Sequence, residues 1–382
     1  MTGNTLRIEF MKQVLKKIEN PGPEFRSAPF WAWNGKLEEG ELREQIRAMK
    51  QMGMGGFFMH SRLGLDTPYL SEEWFDLVAA CVDEAEKLGM KAWLYDEDRW
   101  PSGTAGGLVT KDKRFRIRYL QCSVDTEFPE REDSVELARY AVRFYETTVI
   151  AYRRIKRGAK LDDGERLMVF NRFIASAGDT WFNGQCYLDT LNPKAVEKFI
   201  ETTHEAYLRH LPKSRLKAIP GIFTDEPNMH VSCPKNSLPW TDGLEKSFRK
   251  RYGYDLLDRL PELFYPFLPE IAERGLVNLR SEFSKVRLDY RNLLADTFRD
   301  AFAKTVGKWC DRHKLIFTGH LLREDSMREQ IHDVGSAMRF YEYMSAPGID
   351  VLTEHWNVFI TAKQCSSVAH QLGKDIRLSE LK

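Results

Sequence analysis

The sequence predicts an α/β fold of the (β/α)8 TIM-barrel type that lacks its eighth strand. It also predicts a β-rich insertion after strand three and a helical insertion after strand four. Three observations carry this. Short apolar runs alternate with stretches of helical periodicity seven times along the chain. The first three runs and the two helices between them fit within residues 30–97, which implies parallel strands with right-handed crossovers. Each of the seven runs closes on a polar or charged residue, where a barrel carries its functional groups.

The elements follow in order. Phe30-Trp31-Ala32-Trp33-Asn34 is the first strand. Glu38 to Met52 is a helix, with Leu42, Ile46 and Met49 on one stripe and Glu38, Glu39 and Glu41 at its positive end. Gly55 to His60 is the second strand. Ser71 to Leu88 is a helix capped by Ser71 and stopped by Gly89, with Trp74, Leu77, Val78, Cys81, Ala85 and Leu88 on its inner face. Lys91 to Glu97 is the third strand. Residues 116–187 then break the rhythm. Their β-branched and aromatic runs, with turn signals at Gly158 and Gly164, predict the β-rich insertion. Asn192-Pro193 opens a helix to about His210. Ala218 to Glu226 is the fourth strand, and residues 229–279 form the helical, aromatic insertion. Ser281 to Lys314 is a long helix, and Leu315 to His320 is the fifth strand. Gly348 to Glu354 is the sixth, Phe359 to Leu372 a helix, and Asp375 to Leu381 the seventh strand. A barrel without its eighth unit exposes two unpaired edges, through which oligomers could form. The expectation is therefore a fragment of a longer protein, with an open doubly wound sheet as the alternative architecture.

Composition narrows the function. The chain has 382 residues, 42% apolar and 12% aromatic, which excludes disorder as its main state. Fifty-seven basic against 56 acidic residues give a net charge of +1, which points away from nucleic acid and anionic membranes. No window approaches 18 consecutive apolar residues, so a membrane-spanning helix is not expected. Residues 1–20 lack the apolar core and cleavage site of a signal peptide. The six cysteines lie no closer than 41 residues apart in sequence, so no CxxC pair exists. Reduced structural thiols in a cytoplasmic protein are the expectation.

The strand ends bear the chemistry. They carry Trp33-Asn34, His60, Asp96-Glu97-Asp98-Arg99-Trp100, Asp225-Glu226, His320, Glu354-His355-Trp356 and Glu380. Carboxylates among Trp and His suit carbohydrate chemistry. Glycosidic cleavage needs one protonated carboxyl for the leaving group and one carboxylate as nucleophile or base. Aromatic rings stack on the apolar faces of sugars, and Asp, Asn, His and Arg grip hydroxyls.

The segments PFWAWNGKL, MGMGGFFMHSRLGL, WLYDEDRWPSGTAGG, FTDEP, LPWTDGLEKSFRKRYGYDLLDRLP and AHQLGKDIRLSE resemble the N-terminal catalytic barrel of glycoside hydrolase family 106, the α-L-rhamnosidases and their bacterial relatives. The resemblance spans about Pro29 to Glu380, and members carry β-sandwich domains after the barrel. It implies one glycoside hydrolase-like barrel over residues 1–382, incomplete at its C-terminus, and a glycoside or oligosaccharide substrate. It implies Glu226 as general acid, since FTDEP closes strand four, with Glu380 or Glu354 as the second carboxylate. It also implies inversion, although pairing of strands four and seven is the arrangement of retaining barrels. No cofactor is expected, beyond the calcium that the family resemblance implies.

Asp96, Glu97 and Arg99 are candidate ligands for substrate hydroxyls, as are Asn34, His60, His320 and His355. Trp33, Trp100 and Trp356 are candidate stacking platforms, and Asp225 would raise the pKa of Glu226. A metallohydrolase site of His60, Asp96, Asp225 and His320 is the first rival, but neither HxH after strand one nor HExxH occurs. SGTAGG at Ser102–Gly107 lacks both phosphate-loop patterns. The basic run Lys111–Arg118 reads as a solvated face. A truncated, inactive carbohydrate-binding barrel is the rival from another class.

Overall fold

The computed structural model describes residues 18–216, 218–269, 284–351 and 358–381, together with Met11, Lys12 and Leu15. In chain order its strands are β1 (Phe30–Gly35), β2 (Gly56–Leu65), β3 (Lys91–Tyr95), β4 (Arg118–Val124), β5 (Ser134–Tyr145), β6 (Thr148–Ile155), β7 (Arg166–Ile174), β8 (Gly221–Asp225), β9 (Ser237–Trp240), β10 (Ile316–His320), β11 (Ala346–Val351) and β12 (Leu378–Leu381). Seven of them form one parallel sheet in the order β1-β2-β3-β8-β10-β11-β12, an open half-barrel. The other five form an antiparallel sheet in the order β6-β5-β7-β4-β9.

The helices bury their apolar stripes against the convex face of the half-barrel. The helix Glu72–Leu88 starts where Ser71 Oγ accepts the Trp74 N–H at 3.2 Å and ends at Gly89, which takes the left-handed conformation. Its Trp74, Val78, Cys81 and Ala85 are almost fully buried. Trp74 meets Trp33 of β1 edge to face at 4.9 Å. On the concave face, Phe30, Phe58, Tyr95 and Phe223 pack as a small aromatic floor. Alternation along the strands separates the two faces, so the polar residues in phase with this floor point into the open side.

Four sequence expectations are corrected. The helix from Pro193 breaks after Thr202 and resumes at His204. Thr203 Oγ1 bonds back to the Phe199 carbonyl at 3.0 Å, a contact that bends helices. The long helix expected to start at Ser281 runs from Lys285 to His313 with a π-helical turn at Arg299–Ala303. The insertion expected to be helical contributes a strand. β9 pairs antiparallel with β4, and Val149 of β6 bridges Phe267, so the two insertions build one unit. Arg118, expected on a solvated face, is buried and lies 3.2 Å from Asp189.

β8 and β10 approach closely at the site. Gly319 has φ +135°, and a Cβ there would lie 1.9 Å from the Thr224 carbonyl oxygen. Both the strand spacing and the backbone conformation demand glycine. Gly319→Ala is expected to cost about 3 kcal/mol or more, read as a lower urea midpoint.

Candidate active site

Register brings the site together. His320 is the parallel partner of Asp225, and Asp350 is that of Glu380. The concave face at the C-terminal strand ends therefore carries Asp225, His320, Asp350 and Glu380, with Glu226 one residue past β8. His320 Nε2 lies 3.0 Å from Asp225 Oδ1, 3.1 Å from Glu380 Oε2 and 4.0 Å from Asp350 Oδ2. Its Nδ1 lies 3.8 Å from Glu324 Oε2. One N–H cannot align with every neighbour, and Glu380 Oε2 and Asp350 Oδ1 keep no hydrogen-bond partner. Burial pushes the His320 pKa down, but its contacts with Asp225, Glu324 and Glu380 outweigh burial and hold it well above the usual histidine range. His320 stands at the centre of a carboxylate ring that favours its charged form.

The ring sorts its carboxyls by environment. Burial raises Asp225, but hydrogen bonds from His320 and Tyr95 (Oη to Oδ2, 2.5 Å) bring it below its ordinary value. Glu226 moves the other way. Burial pushes it up to about 7; Asp225, Glu324 and Asp350 add to the rise, and His320 opposes it. Asp350 is likewise pushed to about 7, chiefly by burial. Ligand atoms of Glu226, His320 and Asp350 lie within 4.8 Å of one another. Such divergence among neighbouring carboxyls separates a proton donor from an acceptor.

Glu226 sits in a strained turn, at φ +48°. Neighbouring loops hold it there. Ser102 N–H donates to the Asp225 carbonyl and Ser102 Oγ accepts the Asp225 N–H, both at 2.8 Å. Thr190 Oγ1 donates to the Asn228 carbonyl at 2.7 Å, and Asn228 Nδ2 donates to the Glu226 carbonyl at 3.0 Å.

The other expected residues divide. His60 is buried on the concave face, stacked on Tyr95 at 3.9 Å, and neither ring nitrogen has a partner. Burial drops its pKa to about 4, so it is neutral. Asn34 is exposed on β1, in phase with Phe30. Trp100 is half-buried at the rim, edge to face with Trp181 at 4.8 Å and under the Arg62 guanidinium at 4.9 Å. Arg99 stands over Trp181 and pairs with Asp98 at 3.2 Å. Three expected substrate contacts are corrected. Trp33 faces the helices and is 1% exposed. Asp96 is fully buried and accepts from Ser102 Oγ. Glu97 accepts backbone N–H groups of Asp98, Gly103, Thr104, Ala105 and Gly106, so its carboxylate fastens the loop after β3. Glu354, His355 and Trp356 lie outside the described residues.

Asp350, Glu324 and Trp181 were missed from sequence. Asp350 had a signal, a carboxylate within the apolar run Gly348–Leu352. Glu324 sits in a turn and Trp181 in the short 3-10 turn Thr180–Phe182, and neither had one. Calcium takes six to eight oxygen donors. Here an imidazole nitrogen, a donor that calcium does not favour, stands at the centre among the carboxylates. The ring as built does not fit calcium.

No family model and no curated protein matches the sequence. Among solved structures, the chain is similar to a rhamnosidase from Novosphingobium sp. PP1Y, at 14% identity and a TM-score of 0.65. That match covers 96% of this chain and 52% of the rhamnosidase, so the chain spans about half of that protein. A cycloisomaltooligosaccharide glucanotransferase from Paenibacillus sp. matches at 9% identity and a TM-score of 0.36, over 94% of this chain and 38% of the other. The first similarity is one of fold. All six cysteines are free. Among the described residues, no helix is long and apolar enough to cross a membrane.

Proposed function

We propose that this chain is the catalytic half-barrel of a glycoside hydrolase, with an α-L-rhamnosidase-like activity of the family 106 type. The observation that carries this reading is the Glu226 carboxyl, held protonated up to about pH 7 at the end of a central strand beside a ring of carboxylates. A carboxyl in that state donates its proton to the glycosidic oxygen as the bond to the anomeric carbon breaks. Glu380, whose Oε2 lies 3.1 Å from His320 Nε2, supplies the second carboxylate, with Asp350 beside it on β11. In the inverting course that the family resemblance implies, it takes a proton from the water attacking the opposite face of the sugar. The neutral His60 and the rim pair Trp100–Trp181 bind hydroxyls and the apolar sugar face.

An aryl-glycoside panel that includes the α-L-rhamnoside tests the reading, and the first-formed anomer by NMR reads the stereochemistry. Turnover that Glu226→Gln abolishes in a folded chain supports it. A folded chain that binds the sugars without turnover supports the binding-only barrel instead. Trp100→Ala is expected to raise KM about tenfold, some 1.4 kcal/mol, with kcat little changed. An unchanged KM would remove Trp100 from the sugar site.

A further inference from the structure

A second set of metal-ligating side chains stands at the same end of the half-barrel, apart from the carboxylate ring. His230 lies on the loop after β8, four residues beyond Glu226. His332 and Asp333 end the short helix Met327–Asp333, which follows β10. Donor atoms of His230, His332 and Asp333 lie within 4.8 Å of one another. The two imidazoles meet at a centroid distance of 4.3 Å and an angle of 72°.

The backbone fixes this approach. Met229 N–H donates to the Asp333 carbonyl at 2.8 Å, and His230 N–H donates to Asn228 Oδ1 at 3.0 Å. Each imidazole has one nitrogen engaged by an acceptor. His230 Nε2 faces the Ser237 carbonyl at 3.2 Å, so that nitrogen carries the hydrogen and Nδ1 keeps its lone pair. His332 Nδ1 lies 2.6 Å from Asp333 Oδ1, and an ion held by both would take the place of the proton they share. In His230 the Ser237 carbonyl anchors one nitrogen, the way proteins orient the other toward a metal.

We propose that His230, His332 and Asp333 form a binding site for a divalent transition ion of the zinc class, with a remaining position for water. Two imidazoles and a carboxylate suit such an ion, which is held at about 2.0–2.2 Å by these donors. They do not suit calcium or magnesium, which prefer oxygen alone. The donors must draw closer than they stand. His332, with 41% of its side chain exposed, has room to turn. Arg323, whose Nε lies 3.6 Å from Asp333 Oδ2, is exposed enough to swing away. A bound ion would tie the loop after Glu226 to the segment after His320, two elements that the site needs in register. The inference is independent of the reaction proposed above.

The test is a titration of the intact chain with ZnCl2 by calorimetry and with CoCl2 by visible absorption, beside His332→Ala and His230→Ala. The expected result is one ion per chain at micromolar or tighter affinity, a cobalt band of low-symmetry coordination, and a raised melting temperature. His332→Ala, at a half-exposed position, should weaken binding at least tenfold while the chain stays folded. Equal binding by the wild type and His332→Ala would place the ion elsewhere and overturn the proposal. So would no binding by the folded wild type, or an equal melting shift with CaCl2.

Discussion

Glu226→Gln is expected to lower kcat by about 10²–10⁴ on any aryl glycoside with a poor leaving group, while the chain stays folded. The amide keeps the shape of the side chain but has no proton to give. Leaving groups that depart without protonation should suffer less, which distinguishes a lost acid from a damaged site. The pH profile adds a second reading. The wild-type kcat/KM should fall as pH rises through about 7, where Glu226 loses its proton. That limb should be absent from the variant's residual activity.

The same carboxyl gives a stability signature with a definite sign. Its folded pKa of about 7 stands above its ordinary value of 4.5, so between these values the folded state binds more protons than the unfolded one. Stability from this group is therefore complete at low pH and declines from about pH 4.5 until the pH has passed 7. The full decline is on the order of 3 kcal/mol. Glu226→Gln removes this decline, so the variant should gain on the wild type in urea at pH 8 relative to pH 5. A wild type and variant with parallel stability profiles would mean that the Glu226 carboxyl titrates normally. The acid assignment would then lose its physical basis.

How much of this was legible in the sequence can be said residue by residue. The strand–helix rhythm, the Ser71 cap and the Gly89 stop were local signals, and local signals survive folding. That Glu226, His320 and Glu380 stand at one end of the sheet was legible because each closes an apolar run, and parallel strands bring such ends together. Trp33 was misread because a tryptophan at a strand end can face either side. Its parity with Trp31, not its position, decides that it faces the helices. Glu97 was misread because its partners are backbone N–H groups of a glycine-rich loop, which no side-chain pattern announces. β9 escaped because its partner β4 lies more than a hundred residues upstream, beyond any window of periodicity.

His320→Gln should produce the largest loss of stability. The His320 imidazole stands among Asp225, Glu324, Asp350 and Glu380, whose contacts favour its charged form. Removing one partner of a buried ion pair leaves the other uncompensated, at a cost of about 3–5 kcal/mol. The pH dependence should be peaked. Since the folded pKa of His320 stands above its unfolded value of about 6.5, its contribution is complete below 6.5 and fades as pH rises through the folded value. In the variant, Asp225 loses the contact that helps depress its pKa, so the carboxylates take up protons more readily as pH falls, which relieves their repulsion. The gap between wild type and variant should therefore be widest near neutrality and narrow on both sides. A gap that kept its full size down to pH 4 would point to lost packing against Phe223 rather than lost charge. A variant as stable as the wild type at pH 7 would mean that His320 is neutral there. The low pKa of Asp225 would then need another source, and the sorting of the carboxyls into donor and acceptor would rest on burial alone.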